Sequence, residues 1–174
     1  FEPALHAVAE ERRRLEDALR SALDRDEFLL QFQPVVSADT GELVSFEALV
    51  RWQSAELGFV SPAKFIPLAE DTRQIIKIGR WVLQNACMEA RNWPDHVKVN
   101  INVSPEQLLE LTFTDEVVSA LASTGLRPER LEIEVTESIF LRDASVARAA
   151  LEQIMALGCS VAMDDFGTGY NAFS

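Results

Sequence analysis

Carboxylate and amide side chains recur at the ends of short apolar segments in this sequence. Glu47 follows one such segment, Asn102 a second, Glu134 a third, and Asp164 with Asp165 a fourth. Oxygen-only side chains of this kind are the ligands that Mg²⁺, Mn²⁺ and Ca²⁺ prefer, whereas zinc favours nitrogen and sulfur. The pattern therefore predicts an enzyme that depends on a divalent metal ion.

The adjacent pair Asp164 and Asp165 is the most suggestive of these positions. Neighbouring carboxylates at a strand end repel each other unless a cation bridges them. Two divalent ions about 3.5–4 Å apart would activate a water and clamp both oxygens of an in-line phosphodiester displacement. Arg51, four residues after Glu47, is a candidate phosphate ligand at the same place. A surface arginine on a loop is an equally good interpretation of that spacing alone.

Each acidic strand end also has a simpler interpretation as a surface residue or a helix cap. Function is favoured by the joint occurrence on four strands. Glu132 tests the idea, because it alternates with Glu134 and so projects from the same face of its strand. If that face lines a barrel, Glu132 lies deeper and needs a partner, since burying an unpaired carboxylate is costly.

The elements that must position these residues alternate between strand and helix. The pattern predicts strands over residues 28–36, 43–52, 98–103, 130–135 and 160–163. It predicts helices over residues 4–26, 72–93 and 114–123, short helices that begin at Pro62 and Pro105, and a last helix that Asp143 caps and Gly158 ends. This alternation indicates a parallel α/β sheet with an antiparallel first strand, whose carboxyl ends form one mouth.

The bulk composition excludes several classes of protein. With 174 residues and a formal net charge of −12, the chain is one domain or a large part of one, and it does not suit broad binding to nucleic acid polymers. Cys87 and Cys159 lie in apolar contexts without metal-site spacing, which predicts buried thiols in the reducing cytoplasm. No apolar run approaches the roughly 18 residues that a membrane helix needs.

Six motifs stand in a fixed order along the chain: Gln33-Pro34, Phe46 to Trp52 with Glu47-Ala48-Leu49 inside it, Pro62 to Glu70, Asn102-Val103-Ser104, Glu134 to Ser138, and Asp164 to Tyr170. Together they closely resemble the EAL domain family of bacterial phosphodiesterases that act on cyclic di-GMP. The resemblance implies a TIM-like (β/α)₈ barrel and hydrolysis of cyclic di-GMP to linear pGpG with Mg²⁺ or Mn²⁺, at a site for two ions.

The resemblance also implies roles for particular residues. The implied metal ligands are Glu47, Asn102, Glu134, Asp164 and Asp165. Among them, Glu47 and Asp165 would carry catalysis through a metal-activated water. Gln33 and Arg51 would contact the substrate, and Glu137 would brace the glycine-rich loop that begins at Phe166.

The same resemblance sets expectations about the parent protein. Residues 1–26 are expected to form a helical connector of the kind that follows a GGDEF domain, and residues 27–174 the N-terminal two thirds of the EAL domain. About five barrel strands are then present, and the family's later lysine, glutamate and glutamine would follow residue 174. We expect residues 1–174 alone to be inactive. The domain is expected to act in the cytoplasm as part of a homodimeric parent protein, for which membrane attachment stays open. The alternative function is a catalytically inactive cyclic di-GMP receptor or regulatory domain.

Overall fold

The computed structural model of the chain describes the backbone of residues 2–164 and the side chains of residues 6–163. The helices are α1 Glu2–Ala22, α2 Pro62–Asp71, α3 Ile75–Ala90, α4 Pro105–Leu108, α5 Phe113–Thr124 and α6 Ile139–Ala156. The strands are β1 Phe28–Val36, β2 Leu43–Ser54, β3 Gly58–Val60, β4 Lys98–Asn102, β5 Leu131–Thr136 and β6 Ser160–Asp164. After an opening hairpin, strands and helices alternate as the sequence predicts.

All six strands belong to one sheet, in the order β1-β2-β4-β5-β6, with β3 paired to β2. The β1–β2 and β2–β3 pairs are antiparallel, and the β2–β4, β4–β5 and β5–β6 pairs are parallel. The predicted antiparallel first strand is thus confirmed. A mostly parallel sheet with crossover helices forms part of an α/β barrel wall, which agrees with the predicted fold class.

Several local features depart from the predicted elements. Helix α1, predicted over residues 4–26, ends at Ala22 and is followed by a turn. Strand β3 was not predicted, because three residues are too short to show a period, and they form a strand only by pairing with the end of β2. The helix predicted from residue 72 begins instead at Ile75. Thr72 ends α2, and Arg73 has a left-handed φ of 59°, so the backbone is broken between the two helices.

The sheet has an apolar face under the helices and a polar face on the inside of the barrel wall. On β4, Val99 and Ile101 are buried in the hydrophobic core. The alternate residues Lys98, Asn100 and Asn102 make polar contacts with side chains of the neighbouring strands. Because successive side chains of a strand point to opposite faces, the core and the polar interior are served by the same strands.

Helix α1 is attached to the sheet at its carboxyl end. Leu19 and Ala22 are buried in the core, and the next turn leads directly to Glu27. Glu27 is itself buried, and its carboxylate accepts hydrogen bonds from Trp52 Nε1 at 2.9 Å and from the Ala55 amide at 3.1 Å. Helix α1 is therefore joined to the strand that carries Glu47 and Arg51.

Asp143 begins the main part of α6, although helical structure starts at Ile139. Its backbone is not helical, with φ −149° and ψ 91°, so the helix is kinked at this residue. The Asp143 carboxylate accepts hydrogen bonds from the Val146 amide at 3.1 Å and from Ser145 Oγ at 2.9 Å. These bonds, with the Val146 amide contributing most, lower the pKa of Asp143. The predicted helix cap is confirmed.

Arg130 lies at the amino end of β5 and is only 5% exposed. Its Nε and Nη2 atoms donate to the Val97 carbonyl at 3.0 and 2.8 Å, and Nη2 also donates to the Ala90 carbonyl at 2.8 Å. One side chain thereby joins the end of α3, the start of β4 and the start of β5.

We predict that Arg130→Met lowers the free energy of unfolding by about 3 kcal/mol, because it leaves two buried carbonyls without their charged donor. Arg127→Met is the matched control, since Arg127 is exposed and its ion pairs are 3.4 and 3.9 Å long. That change should stay within about 0.5 kcal/mol of the parent protein. Urea unfolding of the full-length protein measures both, and equal effects would contradict the assignment.

Candidate active site at the carboxyl ends of the strands

Glu47 of β2, Asn102 of β4 and Glu134 of β5 lie on the polar face of the sheet, where the strands open. Asn102 Nδ2 donates to Glu47 Oε1 at 2.7 Å. Asn102 and Glu134 are backbone partners in the parallel β4–β5 ladder, and all three side chains are half-buried. Three of the predicted metal ligands therefore come from three neighbouring strands to one edge.

The register of the parallel strands produces this convergence. Asn100 is the ladder partner of Glu47, so Asn102 stands one inward-facing position further along β4. Asp164 is the partner of Thr136, and it ends β6 on the same edge of the sheet. The side chain of Asp164 and the whole of Asp165 lie outside the described residues, so their predicted roles stay predictions.

The donor set is suitable for a hard divalent cation. Glu47 and Glu134 supply carboxylates and Asn102 supplies an amide oxygen, which is the chemistry of Mg²⁺ and Mn²⁺ ligands. Within residues 6–163, where side chains are described, no group of three or more histidine, cysteine, aspartate or glutamate residues forms a metal cluster. The other two predicted ligands are Asp164, the last residue of β6, and Asp165, which follows it.

Arg51 lies on β2 rather than on a loop, so the surface-loop interpretation is wrong. It is half-buried, its Nε donates to Gln31 Oε1 at 2.9 Å, and its Nη1 donates to the Val50 carbonyl at 3.1 Å. Gln33, two residues beyond Gln31, is exposed and is the ladder partner of Glu47. The two predicted substrate residues, Gln33 and Arg51, thus lie on the β1–β2 hairpin, which also carries Glu47.

Gln31 is a residue of this site that the sequence analysis missed. The available signal was its spacing, because residues two apart on a strand share a face and Gln33 was already a candidate. The spacing could not predict the hydrogen-bond partner of Gln31. Arg51 is that partner because of the antiparallel register between β1 and β2.

Glu132 is half-buried, and a lysine on the neighbouring strand is its partner. Lys98 Nζ lies 3.8 Å from Glu132 Oε2 and donates to Ser160 Oγ at 2.9 Å. Glu132 and Glu134 share the polar face, as their alternation predicts. Lys98 and Glu132 form a layer below the candidate site, so Glu132 belongs to the packing of the barrel interior.

Glu137 is exposed in the turn between β5 and α6. The glycine-rich loop that it is predicted to brace begins at Phe166 and lies outside the described residues. The bracing role therefore stays a prediction.

A mostly parallel sheet with crossover helices and an acidic, amide-bearing edge is the partial wall of an α/β barrel. The EAL domain family model matches residues 16–174. The chain therefore belongs to the EAL domain family, as the six motifs predict.

Several relatives are known by name or structure. The chain is 42% identical over 176 residues to the bifunctional diguanylate cyclase/cyclic di-GMP phosphodiesterase MucR of Pseudomonas aeruginosa, with 99% of this chain and 26% of MucR aligned. It is also 42% identical to an uncharacterized protein, y4lL, of Sinorhizobium fredii, covering 100% of this chain and 21% of that protein. The chain thus spans about a quarter of the length of these relatives.

Solved structures agree with the fold. The PaMucR phosphodiesterase in complex with c-di-GMP superimposes with a TM-score of 0.84 at 41% identity, covering 91% of this chain and 66% of that one. The FimX EAL domain of Xanthomonas citri in complex with c-di-GMP gives a TM-score of 0.80 at 27% identity, covering 97% of this chain and 66% of that one.

Among the helices that the structure describes, none combines the length and the apolar composition of a membrane-spanning segment.

A second acidic group lies where α2, α4 and α6 meet. Burial, followed by the negative charge of Glu106, raises the pKa of Glu70 to about 7; Arg142 opposes the shift and Asp71 adds to it. Glu106 is 9% exposed and is ion-paired with Arg142 just before the kink of α6. The end of α2 is therefore electrostatically coupled to the segment that follows β5.

We predict that Glu70 makes the protein less stable as the pH rises from about 4.5 to about 7. Its ordinary pKa is 4.5 and its folded value is about 7, so in this window the unfolded chain releases a proton that the folded chain retains. The melting temperature of Glu70→Gln minus that of the parent should therefore increase through the window and level off above it. Glu89→Gln, at an exposed position of α3, is the control. A constant difference for Glu70→Gln would contradict the coupling.

Proposed function

We propose that this chain is the catalytic part of a metal-dependent phosphodiesterase that hydrolyses cyclic di-GMP to linear pGpG. The observation that carries the proposal is the convergence of Glu47, Asn102 and Glu134 at the carboxyl edge of a barrel sheet, with Asn102 hydrogen-bonded to Glu47. Support comes from relatives named as a cyclic di-GMP phosphodiesterase and solved with c-di-GMP.

The proposed cofactor is a pair of Mg²⁺ or Mn²⁺ ions. Their ligands would be Glu47, Asn102, Glu134, Asp164 and Asp165, five oxygen donors from four strands. When bound, the ions supply charge neutralisation at the phosphodiester and activation of the attacking water. The carboxylates of the chain would supply the negative charge that keeps both ions in place.

The residues of the β1–β2 hairpin would bind the substrate. Arg51 is a fixed cation at the mouth, because Gln31 and the Val50 carbonyl hold two of its nitrogen atoms. A guanidinium held in one orientation suits a phosphate oxygen, since less side-chain freedom is lost on binding. Gln33 stands beside Glu47 in the ladder and would contact the same ligand.

The remaining proposals concern the whole protein. The name of MucR includes a diguanylate cyclase activity, which supports a tandem GGDEF domain in the parent of this chain. We further propose that the parent is a homodimer and that the domain acts in the cytoplasm, where cyclic di-GMP would be its small-molecule partner.

The deciding experiment incubates the full-length protein with cyclic di-GMP and Mg²⁺ and separates the products by chromatography. Appearance of pGpG, and its loss on chelation with EDTA, would support the phosphodiesterase. Retention of bound cyclic di-GMP with no product at high protein concentration would contradict it and favour a receptor.

We predict that Glu47→Ala lowers kcat at least about 100-fold, because loss of even the outer partners of metal ligands costs 10–100-fold. Cyclic di-GMP affinity should fall less, since the Arg51 contact remains. Glu42→Ala is the control, because Glu42 is an exposed glutamate just before the same strand. Normal turnover by Glu47→Ala in Mg²⁺ would refute the metal assignment.

We predict that Arg51→Ala weakens cyclic di-GMP binding about 10–100-fold, the equivalent of one charge-assisted hydrogen bond. Calorimetric titration in Ca²⁺ measures this without turnover, because Ca²⁺ has looser coordination than Mg²⁺ and should not support in-line attack. Arg91→Ala, at an exposed position after α3, is the control. Unchanged affinity for Arg51→Ala would remove Arg51 from the binding site.

A further inference from the structure

Asn100 lies beneath the candidate site and has no assigned role. It occupies the middle of β4, is 5% exposed, and projects from the polar face between Lys98 and Asn102. Its Nδ2 atom donates to Glu134 Oε1 at 2.8 Å. This is the only hydrogen bond of the Asn100 side chain to a residue that the structure describes.

The orientation of the Asn100 amide follows from chemistry. An ionised carboxylate only accepts hydrogen bonds, so the nitrogen of the amide must face Glu134 and its oxygen must face away. That oxygen, Oδ1, is buried and accepts no hydrogen bond from any described residue. Leaving a buried acceptor unpaired costs about 1–3 kcal/mol. An asparagine with a purely structural role would therefore destabilise the fold at this position.

The neighbouring residues do not explain an asparagine at this position. Val99 and Ile101 fill the core on the opposite face of the strand, and Lys98 with Glu132 completes a separate layer below. By backbone register Asn100 stands between Glu47 of β2 and Glu132 of β5. The side chain is therefore directed at the floor of the site, where its one described contact is a candidate ligand.

We propose that Asn100 is a positioning residue of the divalent-cation site, an inference that depends on the proposed function. Its amide nitrogen fixes the rotamer of Glu134, and so the direction in which that carboxylate offers oxygen to the ion. Its amide oxygen accepts a hydrogen bond from a water at the floor of the loaded site. Partners that orient ligating side chains in this way typically change metal affinity 10–100-fold when removed.

The test is calorimetric titration of Mn²⁺ into the metal-free full-length protein, without substrate. We expect Asn100→Leu and Asn100→Ala to raise the dissociation constant of Mn²⁺ about 10–100-fold. Leucine has nearly the shape of asparagine, and alanine is the second variant in case leucine impairs folding. Lys98→Gln is the matched control, because Lys98 shares the strand and the polar face but contacts Glu132 and Ser160. Its Mn²⁺ affinity should not fall.

A parallel thermal melt separates positioning from general stability. A merely structural asparagine would lower the melting temperature of the metal-free protein and leave the Mn²⁺ dissociation constant unchanged, which would overturn the proposal. An equal loss of affinity in Lys98→Gln would also overturn it, since the effect would belong to the whole interior. If the parent protein bound no Mn²⁺, both the proposed metal site and this inference would be wrong, whereas tight parental binding with unaffected Asn100 variants would refute the inference alone.

Discussion

The candidate site depends on the parallel register of β2, β4 and β5. In that register each strand gives its apolar residues to the helices and its polar residues to the inside of the barrel wall. A slip of one residue would exchange the two faces and place the glutamates in the core, where unpaired charge is very costly. The same alternation that builds the hydrophobic core therefore also delivers Glu47, Asn102 and Glu134 to one edge.

The polar side chains inside the barrel wall need hydrogen-bond or ionic partners in every layer. The lower layer consists of Lys98, Glu132 and Ser160, in which the lysine lies 3.8 Å from the half-buried carboxylate. The layer above pairs Asn100 with Glu134, and the mouth pairs Asn102 with Glu47. An amide donates to a carboxylate without adding positive charge, so these two hydrogen bonds do not themselves neutralise Glu134 or Glu47.

Hydrogen bonds between residues distant in the sequence hold together the segments around these layers. Glu27 joins the end of helix α1 to Trp52, the residue after Arg51, and Arg130 joins three chain segments through backbone carbonyls. Neither contact has a sequence signature, since glutamate after a helix and arginine before a strand are ordinarily exposed. They are visible only once the fold has brought residues 25 to 40 positions apart into contact.

The sequence by itself determined the alternating elements, the antiparallel first strand, the Asp143 cap and the acidic strand ends, because periodicity, capping and residue chemistry are local properties. It also determined the family, since six motifs in order are highly specific. Only the tertiary structure decided that Gln31 holds Arg51, that Lys98 lies beside Glu132, that Asn100 faces Glu134, and that β3 exists. Each of these depends on strand register or on burial, which arise from contacts between distant segments and leave no periodic trace in the chain.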